Sequence, residues 1–287
     1  MDIGIGLPNT ILETPGERFI EWSRRAEERG FATLATIGRI AYPGHDELIT
    51  FATAAGGTGR IGLLPNILLA PAYPTGLLAK QTATLARVSG GRLTLGVGVG
   101  ARPDDFAATG AAFEGRGRIF DQQLEALHAV WRGDPLPGLD VRVAPPAPGG
   151  AVPLLFAGDV RFSAPRAVRW NGGLTIGGAP PEGAATAAAE FRRRYTELGG
   201  AGTPRVVALH YFSLGEEHTE ESLHNLRTYY GYLSDWAETI AQGASRTERA
   251  LQASVRAFEE AGIDELILDP TVPHLDQVDR AADVVLG

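Results

Sequence analysis

LTLGVGVG, residues 93–100, places glycine at 96, 98 and 100 in what otherwise reads as a buried strand. Successive side chains of a strand point to opposite faces, so glycine at every second position strips one face bare. The familiar use of clustered glycines, a dinucleotide fingerprint, needs G-x-G-x-x-G running straight into a helix. Here the glycines alternate, and ARPDDF (101–106), a polar loop, follows. The stretch reads as a strand with room for something flat against its backbone.

Short apolar runs alternate with helical patterns in both directions from this strand, and counting the units decides the fold. Strands are expected at 2–7, 31–37, 60–68, 93–100, 153–158, 173–178, 205–214 and 265–269, each followed by a helical pattern. Eight such units in 287 residues match a (β/α)8 barrel, an α/β fold of the TIM type, with residues 1–287 forming one domain. Two stretches exceed a simple connection. Residues 133–152 are rich in Pro and Gly and read as an irregular hairpin excursion. Residues 215–245 add a helical segment in which Tyr229, Tyr232, Leu233 and Trp236 fall on one helical face. That face reads as core or subunit packing ahead of a substrate lid.

Composition excludes several classes of function. A formal net charge of -8, with no basic stripe, argues against a nucleic-acid surface. With no cysteine there is no disulfide, thiolate nucleophile, cysteine-ligated zinc or iron–sulfur cluster, so redox chemistry needs a borrowed cofactor. MDIGIGLPNT at the start lacks a basic n-region and a long apolar h-region, and no later run approaches a membrane span. A soluble cytoplasmic protein with no membrane partner is expected. No G-x-S-x-G, Walker or HExxH element occurs. His218 and His224 are six apart rather than the four that share a helix face, so no metal site is assigned.

A barrel of this kind carries its chemistry on the loops at the C-terminal ends of its strands. The eight ends show Pro8 and Asn9; Gly38 and Arg39; Asn66; Gly98 and Gly100; Gly158 and Asp159; Gly177 and Gly178; His210 and Tyr211; and Asp269. Glycine dominates the middle four, a wall of small residues suited to a planar ring, with Gly177 among its contacts. FAGDVRFSAPRAVR (156–169) then turns into a helix with Ser163 near its cap and Pro165 early inside it. Free backbone N–H groups there can hold a phosphate, or serve ordinary capping. His210 stands where an imidazole can donate or remove a proton beside a substrate, the competing reading being a histidine satisfied by a backbone carbonyl. Asp269 can orient His210 or bind substrate, against a turn-forming role before Pro270. Arg39 and Arg102 are candidates for a substrate anion.

Residues 67–127 closely resemble the bacterial luciferase-like family of flavin- or deazaflavin-dependent oxidoreductases, through the pattern LLAKQ-x-x-x-L-x-x-x-SGGR-x-x-LGVGVG. IEWSRRAEERGF (20–31) and AGIDELIL (261–268) carry the likeness along the chain. The resemblance implies a barrel mouth that binds the tricyclic ring of reduced FMN or of the deazaflavin coenzyme F-420. Gly98, Val99 and Gly100 would give backbone contacts, Asn66 and Ala70 would lie near the ring, and the loop from Gly158 through Asp159 to Ser163 would hold the cofactor phosphate, with Ala157 also at the cofactor. It also implies a homodimer through helices near the second and third units, where ITFATAAGG (49–57) offers an apolar helix.

The chain departs from the family pattern in places. It has AGDVRFS at 157–163 where many relatives have GG-x-S, and NGG at 171–173 where they have G-D-G. Asp159 repels a phosphate unless Arg161 or Arg166 compensates or the side chain turns away. The acid–histidine pair and the glutamate of the deazaflavin sugar-phosphate dehydrogenases have no counterpart in GRIAYP (38–43) and GARPDD (100–105). The expected function is a reduced-FMN-dependent monooxygenase, supplied by a separate flavin reductase, that acts on a small organic substrate with His210 as proton donor. The alternatives are a deazaflavin-dependent reductase or dehydrogenase transferring a hydride, and a barrel that binds a ligand or partner without catalysis.

Overall fold

The computed structural model describes every residue except Ser234. Its strands are β1 (Asp2–Gly6), β2 (Thr33–Thr36), β3 (Gly62–Pro65), β4 (Leu68–Leu69), β5 (Leu95–Gly98), β6 (Leu154–Phe156), β7 (Gly173–Ile176), β8 (Val206–Phe212) and β9 (Glu265–Pro270). They form one sheet in the order β3-β2-β1-β9-β8-β7-β6-β5-β4. β3 and β4 are two pieces of one barrel strand, with a cis Asn66–Ile67 peptide between them. β4 pairs with β5 in parallel, and a parallel bridge joins Leu63 to Leu93, so the sheet closes into an eight-stranded barrel.

Around it lie α1 (Gly16–Arg29), α2 (Glu47–Gly57), α3 (Thr75–Val88), α4 (Pro103–Thr109), α5 (Arg116–Arg132), α6 (Val160–Trp170) and α7 (Pro181–Glu197). The last third of the chain adds α8 (Thr219–Tyr230), α9 (Asp235–Gly243), α10 (Glu248–Glu260) and α11 (Asp276–Val285). α1 shows why these sequences make helices: Phe19, Trp22, Ser23 and Ala26 are buried at the spacing of one helical face. It stops at Gly30, where φ of 91° needs no Cβ and the N–H closes onto the Ala26 and Glu27 carbonyls.

Period-two alternation divides the strand residues between two cores. Leu34, Leu63, Leu95, Val97, Leu174, Val206, Ala208, Phe212, Leu266 and Leu268 meet the helices. Ala35, Ile37, Leu64, Leu155, Val207, Leu209, Tyr211 and Ile267 fill the lumen. This parity decides which side chains at the strand ends can reach a ligand.

Three connections differ from expectation. ARPDDF is not a loop: α4 starts inside it, with Pro103 at the first position and Asp104 and Asp105 in the first turn, both favourable at a helix N-terminus. Residues 133–152 form coil with one short turn of 3-10 helix at Pro148–Gly150 rather than a hairpin, because Pro135, Pro137, Pro145, Pro146 and Pro148 cannot donate to a ladder. The 215–245 segment breaks at a turn, Gly231–Leu233, between α8 and α9. Tyr229, Tyr232, Leu233 and Trp236 therefore do not share one face: Tyr229 is buried and Trp236 is 69% exposed. Among the described residues, no helix is long and apolar enough to cross a membrane.

Candidate active site

At the C-terminal ends of the strands a cavity of about 140 Å³ is lined by Ile37, Gly38, Asn66, Ile67, Gly177, Leu209 and Tyr211 and covered by Arg102, Tyr229, Tyr230 and Tyr232. Asn66 is fixed by the Thr175 hydroxyl, which donates to its Oδ1 at 2.6 Å across the lumen and leaves the amide nitrogen for the cavity. A Cβ added at Gly177 would meet nothing within 4 Å, so the wall is open there.

The cover is held by charge and by aromatic faces. Arg102 donates to Asp105 at 2.8 Å, to the Tyr232 hydroxyl at 3.0 Å and to the Gly38 carbonyl at 3.2 Å, and its guanidinium lies 5.0 Å from the Tyr232 ring. Buried Asp105 in turn accepts from the Ile40 and Ala41 N–H groups, both at 2.8 Å. The Tyr229 hydroxyl donates to the Gly38 carbonyl. Inside, the Tyr211 and Tyr230 hydroxyls share a hydrogen bond at 2.5 Å. Burial, followed by Tyr230 and Asp269 nearby, raises the Tyr211 phenol well above its ordinary value. Asp269 is buried with no partner for Oδ1 among the described residues, and burial pushes its carboxyl far above the carboxylate range.

The bare face of β5 is not open to a ligand. A methyl group at position 96 would stand 2.5 Å from the Pro65 carbonyl oxygen, and one at 98 would stand 2.4 Å from Ile67 Cδ1. These glycines make room for the Asn66–Ile67 turn of the neighbouring strand, and that turn lines the cavity in their place. Gly100 faces Phe106, and its carbonyl accepts from Arg116 at 2.9 Å. Val99 packs into the helix layer, and Ala70 is fully buried there. Of the expected ring contacts, Asn66 and Gly177 line the cavity; Ala157, expected beside the phosphate loop, sits one strand over from Gly98.

Parity separates the acid–base candidates of β8 and β9. His210 shares the face of Ala208 and Phe212 and points into the helix layer, where Nε2 meets the Ser245 hydroxyl at 2.8 Å and the ring lies 5.7 Å from Phe258. Burial pushes its pKa down to about 4. Asp269 pairs in register with Tyr211, while Leu268 pairs with His210. It therefore points to the lumen and cannot orient His210. Tyr211 is the residue the sequence reading passed over as a candidate donor, although Val207 and Leu209 already set its parity. Arg39 is used in the cover: it donates to the Tyr229 carbonyl and to Asp104, both at 3.1 Å, and lies over Tyr42 and Tyr232.

The α6 N-terminus, expected to hold a phosphate, already holds a carboxylate. Asp159 caps the helix by accepting from the Arg161 N–H at 2.8 Å, and the Arg161 guanidinium folds back onto it at 2.6 Å. These bonds to Arg161 hold the Asp159 carboxyl down at about 2. The Ser163 N–H goes to the Asp159 carbonyl, and buried Ser163 Oγ has no partner among the described residues. Arg166 is engaged by Asp121. Gly158, at φ 97°, has open space around it.

A larger cavity, about 620 Å³, lies beside the mouth between the Gly178–Pro181 loop and α9. Trp236, Ile240, Leu233 and His210 line it, and it shares Leu209 and Tyr211 with the mouth.

The monooxygenase RslO1 of Streptomyces bottropensis has a similar structure, with a TM-score of 0.81 at 21% identity over 100% of this chain and 99% of that one. An F420-dependent secondary alcohol dehydrogenase in complex with an F420–acetone adduct gives 0.80 at 18% identity, covering 99% and 98%. The oxygenating constituent of 3,6-diketocamphane monooxygenase from Pseudomonas putida, in complex with FMN, gives 0.78 at 15%, covering 99% and 97%. Identities this low carry the fold alone. The family model described as luciferase-like monooxygenase matches residues 1–273. With that match along a closed eight-stranded barrel, the chain belongs to the luciferase-like monooxygenase family.

Proposed function

We propose that this barrel is a reduced-FMN-dependent monooxygenase, fed by a separate flavin reductase, that oxygenates a small organic substrate with an apolar body. The observation that carries the reading is the pair of adjoining cavities. The mouth offers a polar anchor at Asn66 and an open wall at Gly177, the neighbour is walled by Trp236, Leu233, Ile240 and His210, and Tyr211 stands between them. At about 620 Å³ the side cavity falls within the ordinary range for a small-molecule site, roughly 300–1,000 Å³, whereas the mouth at about 140 Å³ falls below it. Ring binding therefore requires the Arg102–Tyr232 cover to withdraw.

The residues fit the two ends of the cofactor differently. Asn66 and Gly177 would hold the ring. The helix N-terminus would not hold the phosphate while Asp159 caps it, so the tail relies on Arg161 leaving Asp159 and on buried Ser163 Oγ. Once bound, the flavin supplies the oxygen chemistry. The protein excludes water, orients the ring and holds a proton at the Tyr211 hydroxyl, beside buried Asp269. A homodimer through the outer face of α2, where Ile49 is 63% exposed, belongs to the same proposal.

The structural likeness to an F420-dependent dehydrogenase supports a second reading, hydride transfer from a deazaflavin in the same mouth. Stopped-flow mixing separates the two. Reduced FMN with oxygen should give an enzyme-dependent spectral intermediate if the first reading holds, while reduced deazaflavin that is oxidised only on adding a carbonyl substrate would replace it with the second.

Tyr211→Phe is expected to lower kcat about 100-fold while leaving cofactor affinity within about threefold, the signature of a lost proton donor rather than a lost binding contact. Unchanged kcat would remove Tyr211 from the chemistry.

A further inference from the structure

We propose that His218, Glu221 and His274 form a binding site for a borderline divalent metal ion, zinc above all, on the rim of the barrel and separate from the mouth. One ligand atom from each of the three lies within 4.8 Å of the other two. His274 Nε2 is already 2.8 Å from Glu221 Oε2, and the His218 and His274 rings stack with centroids 4.5 Å apart. His218 directly precedes α8 and Glu221 sits in its first turn, three residues on, a spacing that puts both on one face. His274 comes from the loop between β9 and α11.

The donor set selects the ion. Two imidazole nitrogens and one carboxylate oxygen suit zinc, whereas calcium and magnesium take oxygen ligands. Tetrahedral zinc with bonds near 2.0–2.1 Å needs ligand atoms about 3.3 Å apart. The present spacings, 2.8 Å for one pair and within 4.8 Å for the rest, bracket that distance. A solvent molecule completes the fourth position, since all three side chains keep some exposure.

Electrostatics favours a cation despite the helix end. The α8 N-terminus carries a partial positive charge, but Glu216, Glu217, Glu220 and Glu221 surround it. Arg280, the guanidinium facing this cluster from α11, is already paired with Glu217 at 3.1 Å and Asp276 at 2.8 Å. Glu217 also lies 3.6 Å from His218 Nε2 and adds to the negative field. His224, the histidine nearest His218 in sequence, lies inside α8 and is not part of this cluster. The structure supplies the second imidazole from a different connection. A bound ion would tie the start of α8 to the β9–α11 loop, and α8 ends in the Tyr229 and Tyr230 that cover the mouth.

Calorimetric titration of zinc chloride into the full chain, stripped with EDTA and dialysed, tests the site. One equivalent is expected to bind, with a rise in Tm on zinc addition. His218→Ala and His274→Ala should each weaken binding by about tenfold or more and abolish the Tm rise, while His224→Ala changes neither. His274→Gln should behave as His274→Ala does, and melts in EDTA establish that each variant is folded. Failure of the wild-type chain to take up zinc, or affinity undiminished in either histidine variant, overturns the proposal. Neither outcome depends on flavin binding.

Discussion

Replacing Glu47 with glutamine is expected to raise stability at about pH 8 by on the order of 4 kcal/mol, and to change it little at about pH 4. Glu47 is the first residue of α2, only 7% exposed, with its carboxyl turned toward the sheet, where Oε2 accepts from the Thr36 hydroxyl at 2.8 Å. Burial, against the Thr36 hydrogen bond and with a smaller push from Asp46, raises its pKa to about 8 from an ordinary value of 4.5. The folded state thus keeps a proton that the unfolded chain releases near pH 4.5. Stability is full below that pH and drains away as pH climbs to about 8. Glutamine preserves the acceptor for Thr36 and carries no charge to desolvate, so its curve should be flat over this window. Urea melts of both proteins across the range provide the check. Parallel pH curves for the two would mean that Glu47 is solvated or paired in a way this structure lacks.

Gly96→Ala is expected to cost about 3 kcal/mol, the upper part of the usual range for overpacking a core. The added methyl meets the Pro65 carbonyl oxygen at 2.5 Å and Asn66 Oδ1 at 3.2 Å. The first is backbone and has no rotamer to escape into. Gly98→Ala meets the end of a flexible side chain, Ile67 Cδ1, so Ile67 can turn and the cost should fall to about 1 kcal/mol. Thermal melts of the pair should therefore rank Gly98→Ala above Gly96→Ala. The reverse order would contradict the assignment of Gly96 to the Asn66–Ile67 turn.

These two glycines show how far sequence reading reaches. Eight strand–helix units and the bare face of β5 follow from periodicity within one segment, and both are present. What the bare face receives does not, because Ile67 belongs to another strand and only barrel closure brings it there. His210 and Tyr211 are a different case. Period-two parity through Val207 and Leu209 is legible and places Tyr211 inward, whereas the side cavity that His210 lines depends on α9 and is not legible. Asp159 lies between: its carboxylate followed by Arg161 is a local capping pattern, readable as such, and it fills the helix end where the resemblance implied a phosphate. The meeting of His274 with His218 was beyond reach, since only the fold brings those connections side by side.

The central claim is that the barrel mouth, at Asn66 and Gly177, seats a tricyclic redox ring. Anaerobic titration with reduced FMN and with the reduced deazaflavin coenzyme, on wild-type protein and on Gly177→Trp, tests it most directly. Position 177 has open space around it, so the variant should melt at the wild-type temperature. The account predicts that one of the two ring systems binds the wild-type chain at one per chain, and that Gly177→Trp weakens that binding at least about tenfold, or 1.4 kcal/mol. Failure of both rings to bind, or equal affinity in the variant, would contradict it.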